Sequence, residues 1–185
     1  QLLEVVAYNN ARTIENVAIY EIGKVYAKEN DRYLEETKIS GAMTGHLETN
    51  KWQSKVEKVD FYMVKGYVDT LLEEMGHLNV TYVPVVPEEY KDFHPGRSAM
   101  VYVNEVLVGV VGQIHPELQR TLDLNETYVF ELSLDLLFTL DSSRQSYKPV
   151  PKHPGMTRDI ALVVNRDVLA GDLVQTIKRA ANKLL

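Results

Sequence analysis

Two His-Pro corners bracket an alternating apolar run in this chain. Phe93-His94-Pro95-Gly96-Arg97-Ser98-Ala99 precedes it and Gly112-Gln113-Ile114-His115-Pro116 closes it. Proline has no backbone N–H and a fixed φ, so each corner ends regular strand pairing at a defined place. Between the corners, Met100 to Val111 alternates and is broken only at Asn104-Glu105. That pattern predicts a β-hairpin with a two-residue turn. Asn-Glu is a weaker turn signal than Asn-Gly and leaves the turn type open.

The rest of the chain reads as mixed elements around such a hairpin. Gln1 to Asn10 looks like an apolar, strand-like run that opens without an initiator Met, as an excerpt of a longer polypeptide would. Glu4 and the lack of a basic leader make it a poor signal peptide. Val17 to Ala27 reads as a strand pair around Gly23, and Thr37 to Thr44 as a short strand ended by Gly45. Asp60 to Gly76 is the clearest helix. Phe61, Val64, Val68, Leu71, Leu72 and Met75 fall on one face, with Asp60 placed to cap the start and Gly76 the end. Burying those six side chains is worth about 10 kcal/mol at most. Val80 to Val86 predicts an edge strand because Pro84 and Pro87 interrupt it. Pro116 to Leu122 predicts a short helix, Thr127 to Leu134 a strand and Leu136 to Leu140 a helical turn. Ser, Lys and Pro mark 141–155 as a linker. After it come a compact strand, Asp159 to Asn165, and an amphipathic helix from Gly171 to Leu185 that nothing terminates. The fold class is therefore α+β, an antiparallel sheet with flanking helices.

Composition narrows the function classes. A chain of 185 residues with 45% hydrophobic and 25% charged residues can build an ordinary core. No apolar run is long enough for a membrane span. The absence of cysteine removes disulfides and thiolate metal sites and fits the cytoplasm. Net charge is −6, but it is uneven: 148–185 carries +4 and the remainder −10. An acidic body with a basic tail implies two modules. Arg158, Arg166, Lys178, Arg179 and Lys183 form the cluster best suited to RNA backbone contact, with a solvated helix face as the plainer reading.

No phosphate loop of the form GxxxxGK[ST] and no GxGxxG fingerprint occurs, so nucleotide binding by those devices is excluded. Lys65, in the first turns of the main helix, reads as a solvated lysine sooner than a phosphate ligand. His46, His77, His94, His115 and His153 never share metal-ligand spacing on one helix, so no metal site is assigned. Asp92, His94 and His115 make an acid–base set only if the hairpin gathers them. No nucleophile accompanies them, and a small hydrolase or lyase remains the alternative reading. Gly109-Val110-Val111-Gly112 has the GXXG form of an RNA clamp but sits in an apolar strand, where close backbone approach is its better explanation.

The order of segments resembles the beta subunit of bacterial phenylalanyl-tRNA synthetase. The resemblance is carried by Ile19 to Tyr26, Ile39-Ser40-Gly41 through Thr44-Gly45, Trp52, Val59 to Gly66, His94 to Ala99, Gly109 to Pro116, and His153-Pro154 through Val164. It implies a class II aminoacyl-tRNA synthetase-like, non-catalytic core over 1–140, the linker 141–155, and at 156–185 the opening of an incomplete ferredoxin-like anticodon-binding module. Asp60, Lys65, His94, Pro95, Gly96, Arg97, Gly112, His115 and Pro116 would then be structural signature residues, with no catalytic residue among them. Gly96-Arg97 lacks the glycines that surround the ATP-binding arginine of class II enzymes. The resemblance implies ATP and Mg2+ for the holoenzyme alone, a catalytic alpha subunit as partner in an α2β2 tetramer, and tRNA contact through the complete C-terminal domain. A third reading is a free-standing regulatory relative of a synthetase.

Overall fold

The computed structural model describes residues 1–29, 31–50, 52, 55–143 and 155–181. They fall into two compact units, 1–144 and 145–185. The first unit contains α1 (Leu2–Asn10), β1 (Val17–Glu29), β2 (Arg32–Thr44), β3 (His46–Asn50), β4 (Lys55–Lys58), α2 (Phe61–Glu74), β5 (Val80–Pro84), β6 (Phe93–Val103), β7 (Val106–Ile114), α3 (Pro116–Thr121), β8 (Thr127–Ser133) and α4 (Leu134–Thr139). The second contains α5 (Ala170–Ala181). Six strands form one antiparallel sheet in the order β1-β2-β8-β7-β6-β5, and β3 pairs with β4 apart from it. The α+β organisation predicted from the sequence is the one found.

Alternation gives the sheet two unlike faces. On one, Ile39, Ala99, Val101, Val111, Tyr128, Phe130 and Leu132 are buried beneath α2 and α4. From α2, Val64, Val68 and Leu72 are fully buried, with Phe61, Leu71 and Met75 packed beside them, so all six predicted positions meet the core. Asp60 caps this helix: its Oδ1 accepts from the Met63 N–H at 2.8 Å. Gly76 follows the C-terminus at φ +87°, where a side chain is strained. On the other face, α1 covers only one end, through Val6 against Val17 and Ala42.

The central hairpin turns at Asn104 (φ +48°) and Glu105 (φ +67°), the two positive values a primed turn requires. Its ladder has two irregularities. Val101 opposes Gly109 while Tyr102 opposes Leu107, leaving Val108 as an extra residue whose side chain enters the core. Phe93 opposes Ile114 while Ser98 opposes Gly112, so His94 to Arg97 bow out opposite Gln113 alone. Pro95 explains the excursion, since it cannot donate to a ladder.

Several expectations change. Gln1 to Asn10 is a helix, because Leu2 and Val6 stand one turn apart and both reach the Val17–Ala42 cluster. Val17 to Ala27 is part of one continuous strand. Gly23 has no positive φ and pairs with Lys38 in an unbroken register, and the reversal comes later, with Asp31 at φ +61°. Thr37 to Thr44 is the second half of a strand whose charged first half concealed it. The hairpin β3–β4 has no clear periodicity and went unpredicted. Asp159 to Asn165 forms no strand: Ile160, Leu162, Val163 and Val164 are exposed, and no described strand lies beside them to complete a ladder. Of the predicted linker, 144–154 lie outside the described residues, as do 182–185 of the last helix.

Leu72→Ala should cost about 2–5 kcal/mol, the range for emptying a fully buried leucine site. The drop in urea midpoint at unchanged slope measures it. Gly112→Ala should also destabilise, because an added Cβ would lie 2.1 Å from Ser98 Oγ and 2.7 Å from its Cα.

Candidate functional site

The α1 side of the sheet carries a cleft of about 440 Å³, whose floor includes Glu21, Lys38, Ser40, Val110, Phe130 and Glu131. Strand geometry builds it. Glu36, Lys38 and Ser40 lie two residues apart on β2 and so face the same way. Ser40 stands directly opposite Glu131 on β8. Lys38 Nζ donates to Glu131 Oε1 at 2.8 Å and lies 3.6 Å from Glu36 Oε2, while Ser40 Oγ donates to Glu131 Oε2 at 3.5 Å. Burial pulls the Lys38 ammonium down, but the hydrogen bond and charge of Glu131, with Glu36 behind them, outweigh it and raise its pKa above the ordinary lysine value. The other lysine at this cleft, Lys24, is bound to Glu35. Among the described residues, no arginine lines the cleft. Both lysines are therefore paired with carboxylates of the protein, and the two lysines and two glutamates along the cleft balance in charge. Stabilising a triphosphate in transfer needs cations free to turn toward it.

A second polar assembly centres on Glu126. Lys58 Nζ donates to Glu126 Oε2 at 2.6 Å, Tyr128 Oη donates to Oε1 at 2.6 Å, and Arg97 Nη1 lies 3.4 Å from Oε1. Arg97 also donates to buried Gln113 at 3.0 Å. Gln113 in turn approaches Gln119 at 3.5 Å, and Gln119 reaches the Asn125 carbonyl at 3.1 Å. The hydrogen bonds from Lys58 and then Tyr128 hold the Glu126 carboxyl below the ordinary glutamate range. Burial, and then the bond to Glu126, push the Tyr128 phenol up to about 12. Arg97 thus braces the bowed-out corner against β7 and the approach to β8.

Each His-Pro corner is closed by its own ring. His94 Nδ1 accepts from the Gly96 N–H at 3.0 Å, across Pro95. His115 Nδ1 accepts from the Glu117 N–H at 3.3 Å, across Pro116, and so caps α3 with Pro116 at its first turn. The Asp92 carbonyl accepts from the His115 backbone N–H at 2.7 Å. Among the described residues, no side-chain hydrogen bond joins Asp92, His94 and His115, and no three His, Asp or Glu side chains gather as a metal site. Lys65 is neither free in solvent nor poised for phosphate. It donates to Asp69 at 2.6 Å and stands 4.0 Å above the Tyr82 ring, whose hydroxyl donates to Asp69 at 2.5 Å. Burial and the bond to Asp69 raise the Tyr82 pKa. At Gly109 and Gly112 neighbouring strands approach too closely for a Cβ.

In the second unit Arg158, Arg166, Lys178 and Arg179 are all exposed, and Lys183 lies outside the described residues. Lys178 and Arg179 occupy the last turn of α5, where cations also suit the helix dipole.

The family described as the phenylalanyl tRNA synthetase beta chain CLM domain matches residues 1–134. The chain belongs to that family. Relatives named phenylalanine–tRNA ligase beta subunit, from Bacillus licheniformis, Bacillus subtilis and Geobacillus kaustophilus, are 45%, 43% and 41% identical over the whole chain. The chain spans 23% of the length of each of these relatives. Two structures of pyrrolysyl-tRNA synthetase from Desulfitobacterium hafniense superpose with TM-scores of 0.53 and 0.50 at 14% and 13% identity. Each match covers 75% of this chain and 46% of the other. The likeness shows that this member of the beta chain CLM family shares a tRNA synthetase fold.

Sequence reading missed Lys38, Ser40, Glu131 and Glu126. Alternation along β2 does place Lys38 and Ser40 on one face, but their partner is more than 90 positions away. Glu126→Gln should lower stability at neutral pH by removing the carboxylate that Lys58 and Tyr128 both bind. A depressed carboxyl pKa contributes stability that is present above the ordinary value of 4.5 and lost as pH falls through the lower folded value. The gap between parent and variant should therefore close below about pH 4.5, as followed by chemical unfolding from pH 3 to 7.

Proposed function

We propose that this chain is the catalytic-like part of a phenylalanine–tRNA ligase beta subunit, a structural and subunit-interface module without chemistry of its own. The whole enzyme attaches phenylalanine to its tRNA with ATP and Mg2+, and adenylate formation belongs to the alpha subunit, with which the beta subunit assembles as an α2β2 tetramer in the cytoplasm. The observation that carries this reading is that the cations around the sheet are paired within the protein. Lys38 is held by Glu131 and Glu36, Lys24 by Glu35, and Arg97 by Gln113 and Glu126. A fold that keeps its synthetase shape while spending these cations internally retains a framework for assembly and loses the electrostatics of adenylate formation.

In the same reading, 1–140 is the class II-like core, 141–155 a linker, and 156–185 the first part of a ferredoxin-like module that contacts tRNA when complete. Arg158, Arg166, Lys178, Arg179 and Lys183 are its backbone-contacting candidates, suited to phosphate by charge and, for the first four, by exposure. Asp60, Lys65, His94, Pro95, Gly96, Arg97, Gly112, His115 and Pro116 act as structural residues.

The purified chain should show no phenylalanine-dependent exchange of pyrophosphate into ATP, while it should co-purify with an isolated phenylalanine–tRNA ligase alpha subunit. Exchange by the chain alone would overturn the division of labour. Failure to retain the alpha subunit would remove the interface role.

A further inference from the structure

One carboxylate joins two exposed parts of the first unit. Glu126 precedes β8 on a backbone fixed from both sides. Its carbonyl accepts from the hydroxyl of fully buried Thr44 at 2.9 Å, and the hydroxyl of Thr127, next along the chain, donates to the Asn125 carbonyl at 2.8 Å. Lys58, the last residue of β4, and Arg97, the last residue of the bowed-out corner, reach this carboxylate from different elements. Their side chains are 60% and 54% exposed, so packing locks neither in place. The bond lengths run against the usual preference. A guanidinium bonds a carboxylate about twice as strongly as it bonds a neutral amide. Yet Arg97 Nη1 lies 3.0 Å from Gln113 Oε1 and 3.4 Å from Glu126 Oε1. Lys58 on Oε2 and Tyr128 on Oε1, both at 2.6 Å, account for the reversal. The carboxylate is already balanced in charge and bonded on both oxygens, so the uncharged amide holds the shared N–H.

We propose that Lys58 sets which acceptor Arg97 holds, and through it the position of the His94–Arg97 corner. With the Lys58 ammonium on Glu126, Arg97 stays with Gln113 and the corner is drawn toward β7. With the ammonium withdrawn into solvent or captured by another anion, Glu126 regains its full charge, and Arg97 tightens on it and slackens on Gln113. Lys58 is thus a positioning residue for the corner. The inference goes beyond the ligase assignment and does not depend on it. Two features keep the exchange small and reversible. A guanidinium carries five N–H donors, so Arg97 can turn one toward Glu126 without leaving the site. Tyr128 is buried and stays on Oε1 in both arrangements. The ladder does not oppose the shift either, because its register leaves the residues between Phe93 and Ser98 without partners. From Gln113 the change passes to buried Gln119, 3.5 Å away.

The test uses the 185-residue chain, with thermal unfolding to verify that each variant folds. Nuclear magnetic resonance follows the Arg97 guanidinium and the Gln113 side-chain amide. Lys58→Met should shift both signals, although the bond it removes is to Glu126, and Lys58→Arg should restore them. Chemical unfolding supplies a second reading. Arg97→Met should change the unfolding equilibrium at least about threefold more in the Lys58→Met background than in the parent, because Arg97 has by then taken over Glu126. In the Glu126→Gln background that coupling should vanish. Unchanged Arg97 and Gln113 signals in Lys58→Met overturn the proposal, as does additivity of the two substitutions. Coupling that survives in Glu126→Gln overturns it as well, since Lys58 and Arg97 would then act on one another directly.

Discussion

Everything in the first unit hangs on β8. It is the strand that joins the β1–β2 hairpin to β7, β6 and β5, through pairs such as Gly41 with Phe130 and Val111 with Phe130. Gly41 makes the junction tight. A Cβ there would lie 2.2 Å from the Phe130 ring, so the ring occupies the space a side chain would need. With the ring laid across the glycine, Ile39 and Leu132 close around it, and α2 lays Val64, Val68 and Leu72 over the same face. The contacts that define the sheet thus join residues about ninety positions apart. Such a sheet forms only when both halves of the chain are present.

The same junction sets the chemistry of the opposite face. Pairing β2 with β8 brings Ser40 beside Glu131 and Lys38 within hydrogen-bond reach of it. The ion pair is half-exposed and adds little stability for that reason. Its consequence is electrostatic: it commits Lys38 to carboxylates of the protein. Glu126 does the same for Arg97 and Lys58 farther along the molecule. Fold and activity can part company because they rest on different residues, the apolar positions of the core and the charged groups around it.

Much of the architecture was legible in local pattern. The six-residue face of α2, its Asp60 cap, the Asn104-Glu105 turn, the edge position of β5 and the proline-led α3 all follow from rules that act within a few residues. The failures share a cause. Gly23 looked like a turn because glycine permits one, but twelve other pairs in the β1–β2 ladder hold it extended. Gln1 to Asn10 looked strand-like because its apolar residues cluster, and only the pocket between Val17 and Ala42 selects the helix. Asp159 to Asn165 has strand composition but lacks a neighbour. Local preference is decisive where nothing distant competes, and weak where a ladder or a packing face has to be supplied from elsewhere.

By itself the sequence determined where the backbone must turn, cap or stop, since proline geometry, glycine freedom and helical periodicity are properties of a few adjacent residues. It also determined the family, through short motifs in a fixed order. Tertiary structure alone decided which charges cancel: the partner of Lys38 lies on β8, that of Lys65 one turn away beneath a tyrosine from β5, and those of Arg97 on β7 and before β8. Electrostatic function depends on distance in space, and folding brings together residues that the chain keeps far apart.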